Sequence, residues 1–172
     1  MKKYISIFTL SFLFTGICNA QEQKWAVGAR LGEPSGLNIR KYFDENAFEI
    51  NVGTYGGLWG QDRAYRKGHY QSVGLAVTAN YLWHNNLFGS ETTKYYYGFG
   101  GQFNNRKYFP SDQQMAQGVA TLSIGGDALA GLEFFLKDSP LSIFMEAGLY
   151  VEVLPSPIFA HVQSGAGVRF NF

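Results

Sequence analysis

The feature that most constrains this chain is a repeated alternation of apolar residues with polar or small ones. It occurs in eight stretches separated by turn residues, and a period of two is typical of β-strands with one apolar face. In the clearest stretch, every second residue from Val73 to Trp83 is apolar. The sequence therefore predicts an all-β chain. The predicted strands are Trp25–Gly32, Leu37–Phe43, Phe48–Gly53, Ser72–Trp83, Lys94–Phe103, Ala120–Leu136, Leu141–Glu152 and Ile158–Phe172.

The length and number of these strands favour a membrane barrel over a soluble β-sandwich, which the composition alone would also allow. A membrane-spanning strand needs about 9–11 residues, and the predicted strands from the fourth onward reach that length. Eight strands can close without a free edge, which lipid requires because backbone groups find no water there. We predict an eight-stranded antiparallel transmembrane β-barrel with up-and-down meander order, and a β-bulge at Gly125-Gly126.

Loop lengths and aromatic residues give this predicted barrel an orientation. With the N-terminus in the periplasm, the two longest predicted loops, 56–69 and 104–117, both face outside. Aromatic residues of the apolar phase gather at the periplasmic rim, as in the aromatic girdle of membrane barrels. A soluble core gives no reason for this placement. The predicted girdle contains Trp25, Phe43, Phe48, Tyr81, Trp83, Tyr95, Phe134, Phe170 and Phe172.

The N-terminal segment has the pattern of an export signal. Two lysines precede an apolar run over residues 4–17, and small residues follow up to Ala20. We predict that residues 1–20 are a signal peptide, that cleavage falls between Ala20 and Gln21, and that residues 21–172 form the barrel.

The only cysteine of the chain, Cys18, lies inside this predicted signal peptide. A lipoprotein anchored at Cys18 is therefore an alternative, although Ile17 does not fit the small residue that usually precedes such a cysteine. With cleavage after Ala20, the mature chain has no cysteine and no disulfide.

The last predicted strand ends on Phe172, with Phe170 and Val168 at alternate positions before it. This ending resembles the C-terminal signature of outer-membrane barrels, which the barrel-assembly machinery recognises. The layout of the whole mature chain resembles the small eight-stranded barrels of the OmpA/OmpX kind. The resemblance implies this fold and a place in the outer membrane of a Gram-negative bacterium, but no activity. The chain also resembles uncharacterised outer-membrane barrel proteins of gliding and gut-dwelling bacteria, at residues 131–135, 140–146 and 165–169.

If the apolar phase faces lipid, the charged residues of the strands fall inside the barrel. An eight-stranded barrel is just wide enough for its side chains to fill, and buried charges must pair. This predicts a polar core of ion pairs, in which Glu146 has Arg169 or Arg30 as its partner. The alternative is a gate, in which exchange of partners opens a narrow water path. The predicted interior charges are Arg30, Arg40, Lys94, Arg169, Glu49, Asp127, Glu133, Glu146 and Glu152.

The sequence gives little support to catalysis or cofactor binding. A net charge of +1 excludes a strongly basic nucleic-acid binder, and no metal-ligand spacing or phosphate loop predicts a cofactor. Some eight-stranded barrels modify lipid A with a His and a Ser on one strand. Here His161 and Ser164 are three residues apart and point to opposite faces of a strand. Ser142 and Glu146 share a face but have no histidine beside them.

The first long predicted loop carries a basic and aromatic tip. Cations and aromatic rings suit both lipopolysaccharide phosphates and a partner protein, although such tips are also commonly just solvated. The tip contains Trp59, Arg63, Tyr65 and Arg66.

These patterns favour a non-enzymatic outer-membrane barrel with a structural or interaction role in the envelope and a lumen closed by ion pairs. A narrow channel for small molecules and a lipid A-modifying enzyme are the two alternatives. The predicted partners are outer-membrane lipid and lipopolysaccharide, the barrel-assembly machinery, and another outer-membrane protein. No nucleic acid is expected.

Overall fold

The chain forms nine β-strands within the residues that its computed structural model describes, which are 24–55, 64–65, 68–110 and 119–172. Eight of them build a closed wall, and the two-residue strand β4 pairs with the beginning of β5. No helix within these residues is long and apolar enough to cross a membrane. The strands are β1 Trp25–Gly32, β2 Ser35–Tyr42, β3 Asn46–Tyr55, β4 Ala64–Tyr65, β5 Gly68–Asn86, β6 Thr93–Phe109, β7 Val119–Phe135, β8 Leu141–Leu154 and β9 Phe159–Asn171.

The wall strands follow the order of the sequence, and each runs antiparallel to its neighbours. β1 pairs with β9, and β3 pairs with β5, so the sheet closes on itself. Closure gives every wall strand a partner on both sides, as a strand in lipid needs. The predicted eight-stranded meander is therefore confirmed. The register between β7 and β8 shifts at Ile124/Gly125, next to the predicted bulge.

Several wall strands are longer than predicted, and β5 and β6 differ most. β5 begins at Gly68 and β6 continues to Phe109, so both extend into the segments predicted as long loops. The inward-facing residues Asn104 and Arg106 of β6 are buried polar groups. Since the lumen is polar, such a strand end has the same composition as a loop, and only its alternation distinguishes the two.

The wall has an exposed apolar face and a buried face that is mostly polar. On β8, Ile143, Met145 and Leu149 are exposed, whereas Glu146 and Glu152 are buried. The large side chains at 0% exposure include arginines and glutamates. This distribution is the reverse of that in a water-soluble protein, and it is typical of a barrel whose outer surface contacts lipid.

One rim of the barrel, called the terminal rim, carries both Trp25 and Phe172. The nine aromatic residues of the predicted girdle lie toward this rim, because wall strands begin or end there close to each of them. Six are between 38% and 49% exposed, and Trp83 stacks on Tyr97 with ring centroids 5.8 Å apart. The opposite rim, called the loop rim, carries Gly32 and Leu154.

Candidate functional site

The lumen contains a fully buried set of two arginines and two glutamates, called the four-charge cluster. Arg40 donates to Glu49 Oε2 through Nε (2.7 Å) and to Glu133 Oε2 through Nη1 (2.9 Å). Arg169 donates to the same two carboxylates, at 2.8 Å from Glu49 Oε2 and 2.9 Å from Glu133 Oε1. All four side chains are 0% exposed. Because they come from β2, β3, β7 and β9, their ion pairs connect separate parts of the wall across the lumen.

Neutral side chains complete the coordination of this cluster. Tyr42 and Ser142 donate their hydroxyl hydrogens to Glu133 Oε1, at 2.9 and 2.8 Å. Arg169 lies over the ring of Phe144, 3.5 Å from its centroid, and Arg40 lies 4.3 Å from the centroid of Tyr96. Buried charges are tolerated only where their remaining hydrogen-bonding capacity is met, and these contacts meet much of it.

A second ion pair lies beside the cluster. Arg30 Nε donates to Glu146 Oε1 at 2.7 Å, and the hydroxyl of Tyr96 donates to Glu146 Oε2 at 2.7 Å. Arg30 also donates to the backbone oxygen of Pro34. Of the two partners that the sequence left open for Glu146, the structure has Arg30, because Arg169 is occupied by the four-charge cluster.

Glycines on the inner face allow these side chains to meet across an intervening strand. Gly28 lies between Asn38 of β2 and Arg169 of β9, and the Arg169 side chain crosses it to bond Asn38 Oδ1. Gly131 lies in the same way between Tyr96 and Glu146, which bond over it. A Cβ at Gly131 would be 2.5 Å from the Tyr96 ring, so a side chain there would displace it.

We expect Glu146→Ala to lower the free energy of unfolding by about 3–5 kcal/mol, because Arg30 would keep a buried charge without its carboxylate. The measurement is urea unfolding in lipid vesicles, followed by tryptophan fluorescence. The control is Glu91→Ala, which removes an exposed carboxylate from a turn. A loss below about 1 kcal/mol would mean that the Arg30–Glu146 pair does not stabilise the barrel.

The lumen toward the loop rim is filled by amides and hydroxyls. Asn38 donates to Asn51, which donates to Thr78, and Gln163 donates to Gln102. One void in this region measures about 10 Å³, which is about the space of one water molecule. Its lining includes Asn51, Thr78 and Gln163 as well as Arg30, Asp127 and Glu146.

An aromatic residue and an ion pair lie near the loop rim. Arg106 Nη2 is 3.1 Å from Glu152 Oε2, and the hydroxyl of Tyr65 donates to Glu152 Oε1 at 2.6 Å. Arg106 was missed because 104–117 was predicted as a loop, although the alternation of Gln102, Asn104 and Arg106 was a usable signal. Tyr65, predicted on an exposed tip, is instead 0% exposed, since β4 turns its ring inward.

Two predicted interior charges lie apart from the ion pairs. Lys94 is at the terminal rim, where its Nζ is 5.6 Å from the centroid of Phe135. Asp127 is buried, but within the described residues it has no ion pair, and its Oδ1 has no hydrogen-bond donor. It faces Asn80 across Gly100, which has no side chain to separate them.

The roles predicted for eight further residues are untested. Ala20, Gln21, Trp59, Arg63 and Arg66 lie outside the described residues. In the predicted assembly signal, Val168 and Phe172 are exposed and Phe170 is half-buried. Their recognition by the assembly machinery stays a prediction.

A cavity of about 630 Å³ opens at the terminal rim. His84 forms part of its lining and touches the four-charge cluster, with Nε2 3.0 Å from Arg40 Nη1. A guanidinium only donates, so Nε2 accepts and the ring proton is on Nδ1. This Nδ1–H has no acceptor among the described residues. The lining consists of Lys24, Lys41, Tyr42, Phe43, Asp44, Asn46, His84, Lys94 and Phe135.

His161 and Ser164 lie in opposite phases of β9. His161 is on the inner phase of β9 and packs against Tyr150, whereas Ser164 falls in the phase of the exposed Val162 and Ala166. Within the described part of the chain, no group of three or more His, Cys, Asp or Glu residues could hold a metal ion.

Comparison with known proteins identifies the fold. No protein-family model matches the chain, and no curated protein matches it. The N-terminal β-barrel domain of Pseudomonas aeruginosa OprF superimposes with a TM-score of 0.57 and 17% identity, covering 88% of this chain and all of that one. Neisserial surface protein A gives a TM-score of 0.53 and 14% identity, over 86% of this chain and 93% of that one. The chain therefore has the fold of the small eight-stranded outer-membrane β-barrels.

Proposed function

We propose that this chain is an exported, integral outer-membrane protein without enzymatic activity. Its role is structural or interactive in the envelope, and its lumen is closed by ion pairs. The exposed apolar outer face and the aromatic terminal rim support insertion in a bilayer. The fold shared with OprF and Neisserial surface protein A supports the outer membrane as the location. In the orientation predicted from the loop lengths and the aromatic residues, the terminal rim faces the periplasm and the loop rim faces outside.

The four-charge cluster is the observation that supports a closed lumen. Its members approach one another from four strands, at N–O distances of 2.9 Å or less, and none is exposed. An ion that crossed this level would have to separate buried charge pairs, which costs several kcal/mol for each charge left uncompensated. The cluster therefore supports a filled core over a conduction path.

We expect the protein to show no stepwise conductance in planar bilayers in concentrated KCl. A 16-stranded porin, whose barrel is wide enough for an aqueous channel, serves as the positive control for the bilayer. Steps of constant amplitude from the pure protein, absent from detergent alone, would favour the second candidate, a narrow conduit.

The proposed absence of enzymatic activity rests on a different observation from the closed lumen, and a different experiment tests it. Ser142 donates its hydroxyl hydrogen to Glu133 and has no histidine among its hydrogen-bond partners in the described residues, so it lacks the arrangement of a catalytic nucleophile. The lipid A profile of a deletion strain should match that of the parent. A changed number of acyl chains or phosphates, restored by the intact gene, would contradict the proposal.

An interaction role is tested by the native mass of the protein after extraction in a mild detergent. A mass above that of one chain plus its micelle, with a second protein identified in the complex, supports a subunit role. A lone barrel restricts the role to lipid contact and to the predicted external loops, in which the predicted tip residues Trp59, Arg63 and Arg66 would be replaced first.

A further inference from the structure

The cavity at the terminal rim is a cup that is linked to the four-charge cluster through two residues of its lining. Tyr42 and His84 belong to its lining and also contact the cluster, Tyr42 by donating to Glu133 and His84 by accepting from Arg40. The cup, of about 630 Å³, is large enough for a small organic ligand. That the cup is reached only from the periplasm rests on the proposed orientation and on the proposed closed lumen. The binding site itself depends only on the residues of its lining.

The charged groups of the lining are unbalanced toward positive charge. Lys24, Lys41 and Lys94 contribute three cations, and Asp44 contributes one anion. None of the three lysines forms an ion pair with a carboxylate in the described parts of the chain. Lys41 lies near the rings of Trp25 and Phe43, and Lys94 lies near the ring of Phe135. His84 is neutral, because its Nε2 accepts from Arg40. The lining therefore carries an excess of two positive charges.

Polar and apolar groups of the lining add to this charge. His84 is 6% exposed, and its Nδ1–H donor has no acceptor within the described residues. An acceptor oxygen brought within its reach would remove the cost of that unsatisfied donor. The rings of Phe43 and Phe135 supply apolar surface beside the ammonium groups.

We propose that this cup binds a phosphate monoester. Such a group carries close to two negative charges at neutral pH, which matches the excess charge of the lining, and its three oxygens accept from several donors. Lysine binds phosphate as a point charge and needs no fixed geometry. The monoester comes either from a small soluble compound or from the headgroup of a lipid in the adjacent leaflet.

The test is a titration of the purified full-length protein with glycerol 3-phosphate in an uncharged detergent, at constant ionic strength, followed by isothermal calorimetry. We expect saturable binding that Lys94→Gln weakens at least about tenfold, because one charge-assisted contact is lost. The matched control is Lys107→Gln, an exposed lysine near the other end of the same strand, which should leave the affinity unchanged. Acetate, with one charge, should bind more weakly than the phosphate monoester.

A second arm distinguishes the two sources of the phosphate. The protein is placed in nanodiscs with phosphatidic acid, or in nanodiscs with phosphatidylcholine only, and protection of Lys94 from amine labelling is measured by mass spectrometry. Protection by phosphatidic acid without calorimetric binding of glycerol 3-phosphate assigns the site to a lipid headgroup. The proposal is overturned if neither probe binds, or if Lys94→Gln and Lys107→Gln change binding equally. Conductance does not enter these readouts, so a failure here is separate from a failure of the proposed closed lumen.

Discussion

Glu133→Gln should lower the free energy of unfolding in lipid by about 3–5 kcal/mol, the range for a broken buried charge pair. Glu133 accepts hydrogen bonds from Arg40, Arg169, Tyr42 and Ser142, and its side chain is 0% exposed. Glutamine has the size of glutamate but no negative charge. Its NH₂ group would also face the N–H and O–H donors that bond the carboxylate of Glu133. Urea unfolding in vesicles measures the change.

A double-variant cycle shows whether this loss comes from the charge interaction. Arg169→Met alone should also destabilise the barrel, because Glu49 and Glu133 lose a cation. The combination with Glu133→Gln should then cost less than the sum of the two single changes, by about 1 kcal/mol or more. Strict additivity would show that the two side chains stabilise the barrel independently, and the four-charge cluster would no longer explain its filled core.

The other large effect is expected at Gly28, where valine should prevent the barrel from closing. A Cβ at this position would lie 2.2 Å from the backbone oxygen of Val168 and 2.9 Å from Cγ of Arg169. The first atom belongs to the backbone of the adjacent strand and cannot move without separating β1 from β9. Overpacking of this kind commonly costs about 1–3 kcal/mol and sometimes more, and here it also displaces Arg169 from Asn38.

The readout for Gly28→Val is the fraction of protein that folds into vesicles, measured by resistance to trypsin and by the electrophoretic shift between heated and unheated samples. Ala29→Val is the matched control, because Ala29 is the next residue of the same strand and is exposed on the outer face. We expect the control to fold normally. Equal folding of both variants would show that the inner face at Gly28 accommodates a side chain.

The sequence predicts the wall of this barrel better than its contents. Period-two alternation reports directly which face of a strand contacts lipid, so the strand number and the placement of Arg40 and Glu49 inside follow from it. The choice between Arg30 and Arg169 for Glu146 does not, because it depends on register and on which strands carry glycine. Tyr65 was misplaced because a strand of two residues has no periodicity to detect.

The four-charge cluster also determines when the barrel can be completed. Arg40 and Glu49 are on the second and third strands, whereas Glu133 and Arg169 are on the seventh and ninth. Until β9 reaches β1, Arg169 has neither Asn38 nor Glu49 as a partner. A half-inserted wall would thus hold uncompensated charges at membrane depth, where they are most costly. Sealing of the wall and neutralisation of the lumen are therefore one cooperative event, and the last strand of the chain supplies the final cation.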